Sequence, residues 1–303
     1  MVICDETKKG NIERGKYMQE MSLEEVKQVQ IDLLNDLAQV CRQHNLRYYL
    51  TGGTLLGAVK YQGFIPWDDD IDLALPRPDF MKLIDILEKR NHSRYKMLSI
   101  YHNKDMYYPF GKYVDTQTVE IETAKPITDY GVYLDVYPID GVPEKKQDKF
   151  LKKINLYKNF SYARWESKNT LHTQFSFSKK EGKQGFLHNY KDSIRKVFNV
   201  VTKPLGFQFW VRLLDKQCQS YAFDEAKYIG VICHRYTPKQ IFLKEQYIEQ
   251  ALYSFEGSQH TATKQADAYL TQIYGDYKKD PPVEEQKTHH EFKAYWKKEA
   301  VEK

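Results

Sequence analysis

Four cysteines in 303 residues, Cys4, Cys41, Cys218 and Cys233, are few and scattered. No pair has C-x-x-C spacing, which argues against a zinc site and against a disulfide framework, and points to a reduced, cytoplasmic setting. No run of 18 or more apolar residues occurs, so no transmembrane helix is predicted. Residues 1–20 are polar and charged and do not read as a signal peptide. No internal repeat and no low-complexity linker interrupts the chain. Charge of one sign is not in large excess: a formal net charge of +5 suits an anionic substrate or a membrane surface and does not call for nucleic acid. What the chain does have in quantity is tyrosine, 24 residues, which supplies flat faces for sugars or cations and, more commonly, half-buried strand positions.

Residues 1–21 read as a loosely ordered lead-in. Ser22-Leu23-Glu24-Glu25 reads as a capping box opening a helix to about His44, with Val26, Val29, Leu33, Leu37, Val40 and Cys41 near helical spacing. Arg47 to Thr51 reads as a strand, Thr54 to Tyr61 as a short helix, and Asp70 to Leu75 as a second strand. Pro78 suits the first turn of a helix through roughly Arg90. Tyr107–Val114 and Val119–Thr123 fit a hairpin, and Gly131 to Tyr137 alternates as a clear strand closed by a turn at Asp140-Gly141-Val142-Pro143. Residues 144–220 are basic and mostly helical, 226–257 mixed, and 264–303 carry two helices around Pro281-Pro282. The simplest division is a mixed core over 22–143 and a mostly helical extension over 144–303.

Two features carry chemistry. Thr51-Gly52-Gly53-Thr54 is a glycine turn at a helix start, where Gly52, Gly53 and Thr54 offer backbone N–H groups to phosphate. Trp67-Asp68-Asp69-Asp70-Ile71-Asp72 follows. On an extended chain Asp68, Asp70 and Asp72 share a face, with Asp70 and Asp72 about 6–7 Å apart, and Asp69 faces a core. Asp135 sits mid-strand among apolar neighbours, where aspartate is disfavoured. A divalent metal shared with Asp70 and Asp72 would satisfy it; a salt bridge to Lys112 is the plainer alternative. Phosphate and metal together indicate phosphoryl or nucleotidyl chemistry.

This layout resembles the nucleotidyltransferase superfamily. Tyr49 to Val59, Gly63 to Asp72, Asp135-Val136-Tyr137-Pro138 with Asp140-Gly141, and Tyr274-Gly275-Asp276-Tyr277 with Pro281-Pro282 and His289-His290 resemble the signature of the LicD family over roughly residues 22–296. That resemblance implies an α+β, nucleotidyltransferase-like mixed sheet core with flanking helices and a largely helical C-terminal extension. It implies transfer of a phospho-alcohol, phosphocholine first among them, from a CDP-linked donor such as CDP-choline to a glycan hydroxyl, releasing CMP. The acceptors it implies are teichoic acid, capsular polysaccharide or lipopolysaccharide. The fukutin-type ribitol-phosphate transferases are more distant members of the same group.

On this reading Asp70, Asp72 and Asp135, joined by Asp68, hold Mg²⁺ or Mn²⁺, and Asp135 is the best candidate for general base. Gly52, Gly53, Thr54, Lys112 and Trp67 meet the donor; Trp67 fits stacking on cytosine, a cation–π contact with choline, or a loop anchor. His234, Arg235, Tyr274, Asp276, His289 and His290 are candidate acceptor or substrate contacts. Val114 and Gln117 stand where family members often carry arginine, which leaves donor and acceptor identity open. The basic, apolar segment Ile194–Leu214 suits either internal packing or an anionic membrane carrying a lipid-linked acceptor. Two other readings compete: a nucleotidyltransferase that leaves the nucleotide on its acceptor, and a non-catalytic glycan- or nucleotide-binding module.

Overall fold

A computed structural model describes residues 18–122, 130–169, 204–233, 239–286 and 292–297. The capping box forms: the Glu25 amide donates to Ser22 Oγ and the Ser22 amide donates back to the Glu25 carboxylate. It opens helix α1 (Leu23–Gln43), which buries Val26, Val29, Leu33, Leu34 and Leu37. The periodic apolar stripe is the reason this helix docks, since it removes one whole face from water. Cys41, Cys218 and Cys233 are free and buried, and burial pushes the thiols of Cys41 and Cys233 up to about 12. They pack as small inert hydrophobes.

The core is a seven-stranded mixed sheet. Its main path runs β2 (Tyr49–Leu50), β3 (Asp72–Pro76), β7 (Tyr133–Val142), β5 (Gly111–Asp115) and β4 (Tyr95–Leu98). β3 and β7 are parallel; the other pairs on this path are antiparallel. Helix α2 (Gly52–Tyr61) connects β2 toward β3, and α3 (Arg77–Arg90) leaves β3 at once, with Pro78 in its first turn. β7 is longer than the expected strand: it runs through the predicted turn, and its last residues pair with β8 (Tyr228–Gly230), which pairs with β9 (Ile241–Leu243). The extension therefore shares the sheet of the core and contributes strands as well as helices. Its helices are α4 (Gln147–Asn169), α5 (Phe207–Cys218), a single turn α6 (Lys244–Tyr247) and α7 (Ala266–Tyr274). β10 (Gln250–Phe255) and β11 (Ser258–Thr263) make a separate hairpin.

Two expectations are corrected here. The predicted hairpin over 107–123 does not form: both edges of β5 are taken by β4 and β7, and β6 (Thr118–Glu122) turns away to another sheet. There it pairs with β12 (Phe292–Lys297), which also pairs with β1 (Met18–Glu20). The second helix predicted near the C-terminus is thus this strand, preceded after the two prolines by a short 3₁₀ turn at Val283–Glu285. Among the described residues no helix is long and apolar enough to cross a membrane.

Candidate active site

The parallel register of β3 and β7 sets Asp72 directly beside Asp135, and the antiparallel register of β7 and β5 sets Asp135 beside Lys112. In-register neighbours lie on the same face of a sheet, so the three side chains form one row. Ile71, Leu73, Leu134 and Val136 are buried around them. The strand begins at Asp72, so Asp68 and Asp70 stand in the approach to it and not in it. Asp69 is buried, as expected, and its carbonyl accepts from the Gln30 side chain at 3.0 Å.

Helix α2 is fastened over this row. The Asp72 amide donates to Thr54 Oγ1 at 2.8 Å, and the Thr51 amide donates to the Asp72 carbonyl at 3.2 Å. Gly52 holds φ +55°, a left-handed value that suits glycine. A Cβ at Gly52 would lie 3.5 Å from Asp72 Oδ2, and one at Gly53 only 2.8 Å from Asp68 Oδ2. Both carboxylates therefore press against the glycines at the helix start, where the positive end of the helix dipole favours them.

The hydroxyl of Thr51, the N-cap, does not cap the helix; it lies 2.6 Å from the Tyr269 hydroxyl, which also accepts from the Gly52 amide at 3.1 Å. Of the three residues expected to cradle phosphate, Gly52 thus spends its amide on Tyr269. The amides of Gly53 and Thr54 remain in the first turn, which offers no intrahelical acceptor.

Burial first, then the charges of Asp70, Asp135 and Asp68, hold the Asp72 carboxyl well above the usual carboxylate range, and Lys112 opposes them. Burial and the same carboxylates also raise Tyr137 and Tyr274 well above the ordinary tyrosine value. The Tyr274 hydroxyl reaches Gly52 and this cluster, although the residue is 45% exposed overall. Asp135 is held on both oxygens, by Lys112 Nζ at 2.7 Å and by the Tyr137 hydroxyl at 3.3 Å.

Lys112, expected at a phosphate, is instead an internal counterion. Its side chain is 2% exposed, and its ammonium lies 3.2 Å from the centre of the Tyr133 ring and 4.8 Å from that of Tyr108. The salt bridge considered as the plainer reading of Asp135 is the one observed. Among the described residues no three His, Cys, Asp or Glu side chains stand ready-made around a metal position. Trp67 packs edge-on against Tyr61, ring centres 6.3 Å apart. Asp276 is exposed and pairs with Lys279. His234, Arg235, His289 and His290 lie outside the described residues.

Sequence reasoning missed Tyr269, which ties α7 to the glycine turn. It also missed Arg77, whose guanidinium grips Asp140 through two bonds of 2.7 Å and reaches Asp215 at 2.9 Å. Asp140 had read as a turn residue, and Arg77 had not been singled out.

A helix N-terminus set over paired strand carboxylates on a mixed sheet is the layout that the sequence resemblance leads one to expect. Residues 45–181 match the family model described as LicD/FKTN/FKRP, nucleotidyltransferase domain. Over nearly its whole length it is similar to the lipopolysaccharide cholinephosphotransferase LicD of Haemophilus influenzae, 29% identical over 294 residues that cover 92% of this chain and 99% of that protein. Shorter similarities join it to an uncharacterized protein of Rickettsia typhi, 38% identical over 72 residues (24% of this chain, 22% of that one). A second uncharacterized protein, from Rickettsia prowazekii, is 42% identical over 55 residues (18% of this chain, 21% of that one).

Proposed function

We propose that the chain transfers phosphocholine, or a closely similar phospho-alcohol, from a CDP-linked donor to a hydroxyl of lipopolysaccharide or a related cell-surface glycan, releasing CMP. It is a transferase of phosphorus-containing groups, like the Haemophilus influenzae protein to which it aligns. The observation that carries the reading is the in-register pair Asp72 and Asp135 beneath the start of α2.

The donor set suits a hard divalent cation, Mg²⁺ or Mn²⁺: it is all carboxylate oxygen, and the raised pKa of Asp72 marks a concentration of negative charge that such an ion would relieve. Asp68, Asp70 and Asp72 would hold it, with Asp135 at its edge. When bound, the ion supplies neutralisation of the charge that develops on the donor pyrophosphate. The chain's own groups supply the rest. The Gly53 and Thr54 amides bind phosphate oxygens. Asp135, oriented by Lys112 and Tyr137, accepts the proton of the acceptor hydroxyl as that oxygen bonds to phosphorus and the bond to CMP breaks.

The test is release of CMP from CDP-choline, CDP-ribitol or CDP-glycerol, with Mg²⁺ or Mn²⁺ and a lipopolysaccharide acceptor. Metal-dependent CMP release with one CDP-alcohol is the expected result, falling about 100- to 1,000-fold in Asp72→Asn. The variant keeps its fold, because asparagine removes a repelled charge and nothing else. Pyrophosphate released from a nucleoside triphosphate would favour nucleotidyl transfer, and no turnover with any donor would favour a binding module.

A further inference from the structure

We propose that helices α4 and α5 together form a docking face for an anionic lipid bilayer, and that docking sets the active site against a lipid-borne acceptor; the second clause rests on the transfer reading above. The two helices lie antiparallel, with Phe150 against Tyr221 at one end and Phe160 against Trp210 at the other. Their inner faces, including Ile154 and Leu214, join the main core. Each helix therefore keeps an exposed face on the side away from the core.

Those outer faces are not ordinary polar surface. Lys149, Lys152 and Lys153 stand exposed on successive turns of α4, followed on the same face by Leu156, 40% exposed. On α5 the exposed face carries Phe209, 45% exposed, and then Arg212. Leu205, just before α5, is 40% exposed. Of the carboxylates on the two helices whose side chains are described, Asp148 is exposed and Asp215 is turned inward onto Arg77. Large apolar side chains beside a cluster of cations match an anionic lipid surface, with the rings and leucines entering the headgroup layer and the lysines facing its charge. No helix among the described residues is long and apolar enough to span, and the contact proposed is with the bilayer surface. Of the segment Ile194–Leu214 read as either internal packing or a membrane contact, residues 194–203 lie outside the described residues; Phe207, Trp210, Val211 and Leu214 pack inward, and Leu205 and Phe209 stand outside.

The face is tied to the catalytic strands. Arg77, directly after β3, bonds Asp140 on β7 and Asp215 on α5, so one buried guanidinium joins the docking helices to both strands that bear Asp72 and Asp135. Phe207, at the start of α5, packs on Tyr107, which stacks toward Tyr108 and the Lys112 cage.

Flotation of the full chain with vesicles tests this. At about 0.1 M salt the chain should float with phosphatidylglycerol–phosphatidylethanolamine vesicles and not with phosphatidylcholine vesicles, and should be released by high salt. Lys149→Gln/Lys152→Gln/Lys153→Gln should weaken binding about 100-fold, roughly fivefold per lysine. Leu205→Ser/Phe209→Ser should also weaken it. Both variants should keep wild-type melting temperatures, since every altered side chain is exposed. No flotation of the wild type, equal flotation with phosphatidylcholine, or variants that float like the wild type would each overturn the docking face. Charge-dependent flotation without CMP release from any CDP-alcohol would uphold the face and remove the transfer reading alone.

Discussion

His260 on β11 is 2% exposed, with Nδ1 3.2 Å from the Tyr48 hydroxyl. Burial first, then the charge of Arg42, lowers its pKa from 6.5 to about 4. Between those values the unfolded chain binds a proton that the folded chain does not, so stability rises with pH across the window and is lost as pH falls through it. The full loss is about 3 kcal/mol. Urea melts at pH 7 and pH 4.5 should show a smaller acid loss in His260→Gln than in the wild type; equal losses would remove His260 as the cause. At this scale the legible residues were those in the wrong company: Asp135 between apolar neighbours, and Asp70 and Asp72 beside glycines. His260 and Tyr269 were not legible. Each sits where a core side chain belongs, and its role comes from partners about 200 residues earlier in the chain, Tyr48 for one and Thr51 for the other.

Helix α2 is the element on which the site depends. Gly53→Ala would place a methyl 2.8 Å from Asp68 Oδ2, closer than ordinary contact, and push that carboxylate aside. Alanine also favours a helix by about 1 kcal/mol over glycine. The melting temperature should therefore hold while CMP release falls roughly 10- to 100-fold, as expected when a site group is displaced by about an ångström. An inactive variant that also melts early would mean the glycine serves folding instead. Among elements, α1 was legible end to end, because its capping box and apolar stripe are both local signals. β6 and β12 were not. Thr118–Glu122 follows β5 after a two-residue turn and looks like its hairpin partner, but β4 and β7 had already filled both edges of β5. Competition for sheet edges is settled between distant segments and leaves no mark in either.

For the molecule as a whole, the buried Arg77–Asp140–Asp215 group joins core and extension. Asp140 and Asp215 are 1% and 5% exposed, and Tyr101 and Gln219 also donate to Asp215. Removing Asp215 leaves Arg77 paired with Asp140 alone and takes from Tyr101 and Gln219 their shared acceptor, so Asp215→Ala should lower stability by about 1–3 kcal/mol, read from urea unfolding. A loss below about 1 kcal/mol would mean that solvent reaches the arginine. A mixture of helices and strands was legible from periodicity, and the resemblance supplied the α+β class. The joining of the two parts was not, since nothing in Tyr228–Gly230 announces that it will pair with Asp140–Val142.

The small sheet in which β12 lies between β1 and β6 has a consequence for how the chain is made. Among the described strands Met18–Glu20 pairs with Phe292–Lys297, so on the ribosome it waits for a partner that lies about 270 residues later. At about 5–20 residues per second that wait is on the order of 15–60 s. During it the strand's edge is open to strangers, and synthesis of Phe292–Lys297, rather than any step inside the core, sets the moment at which this small sheet can close.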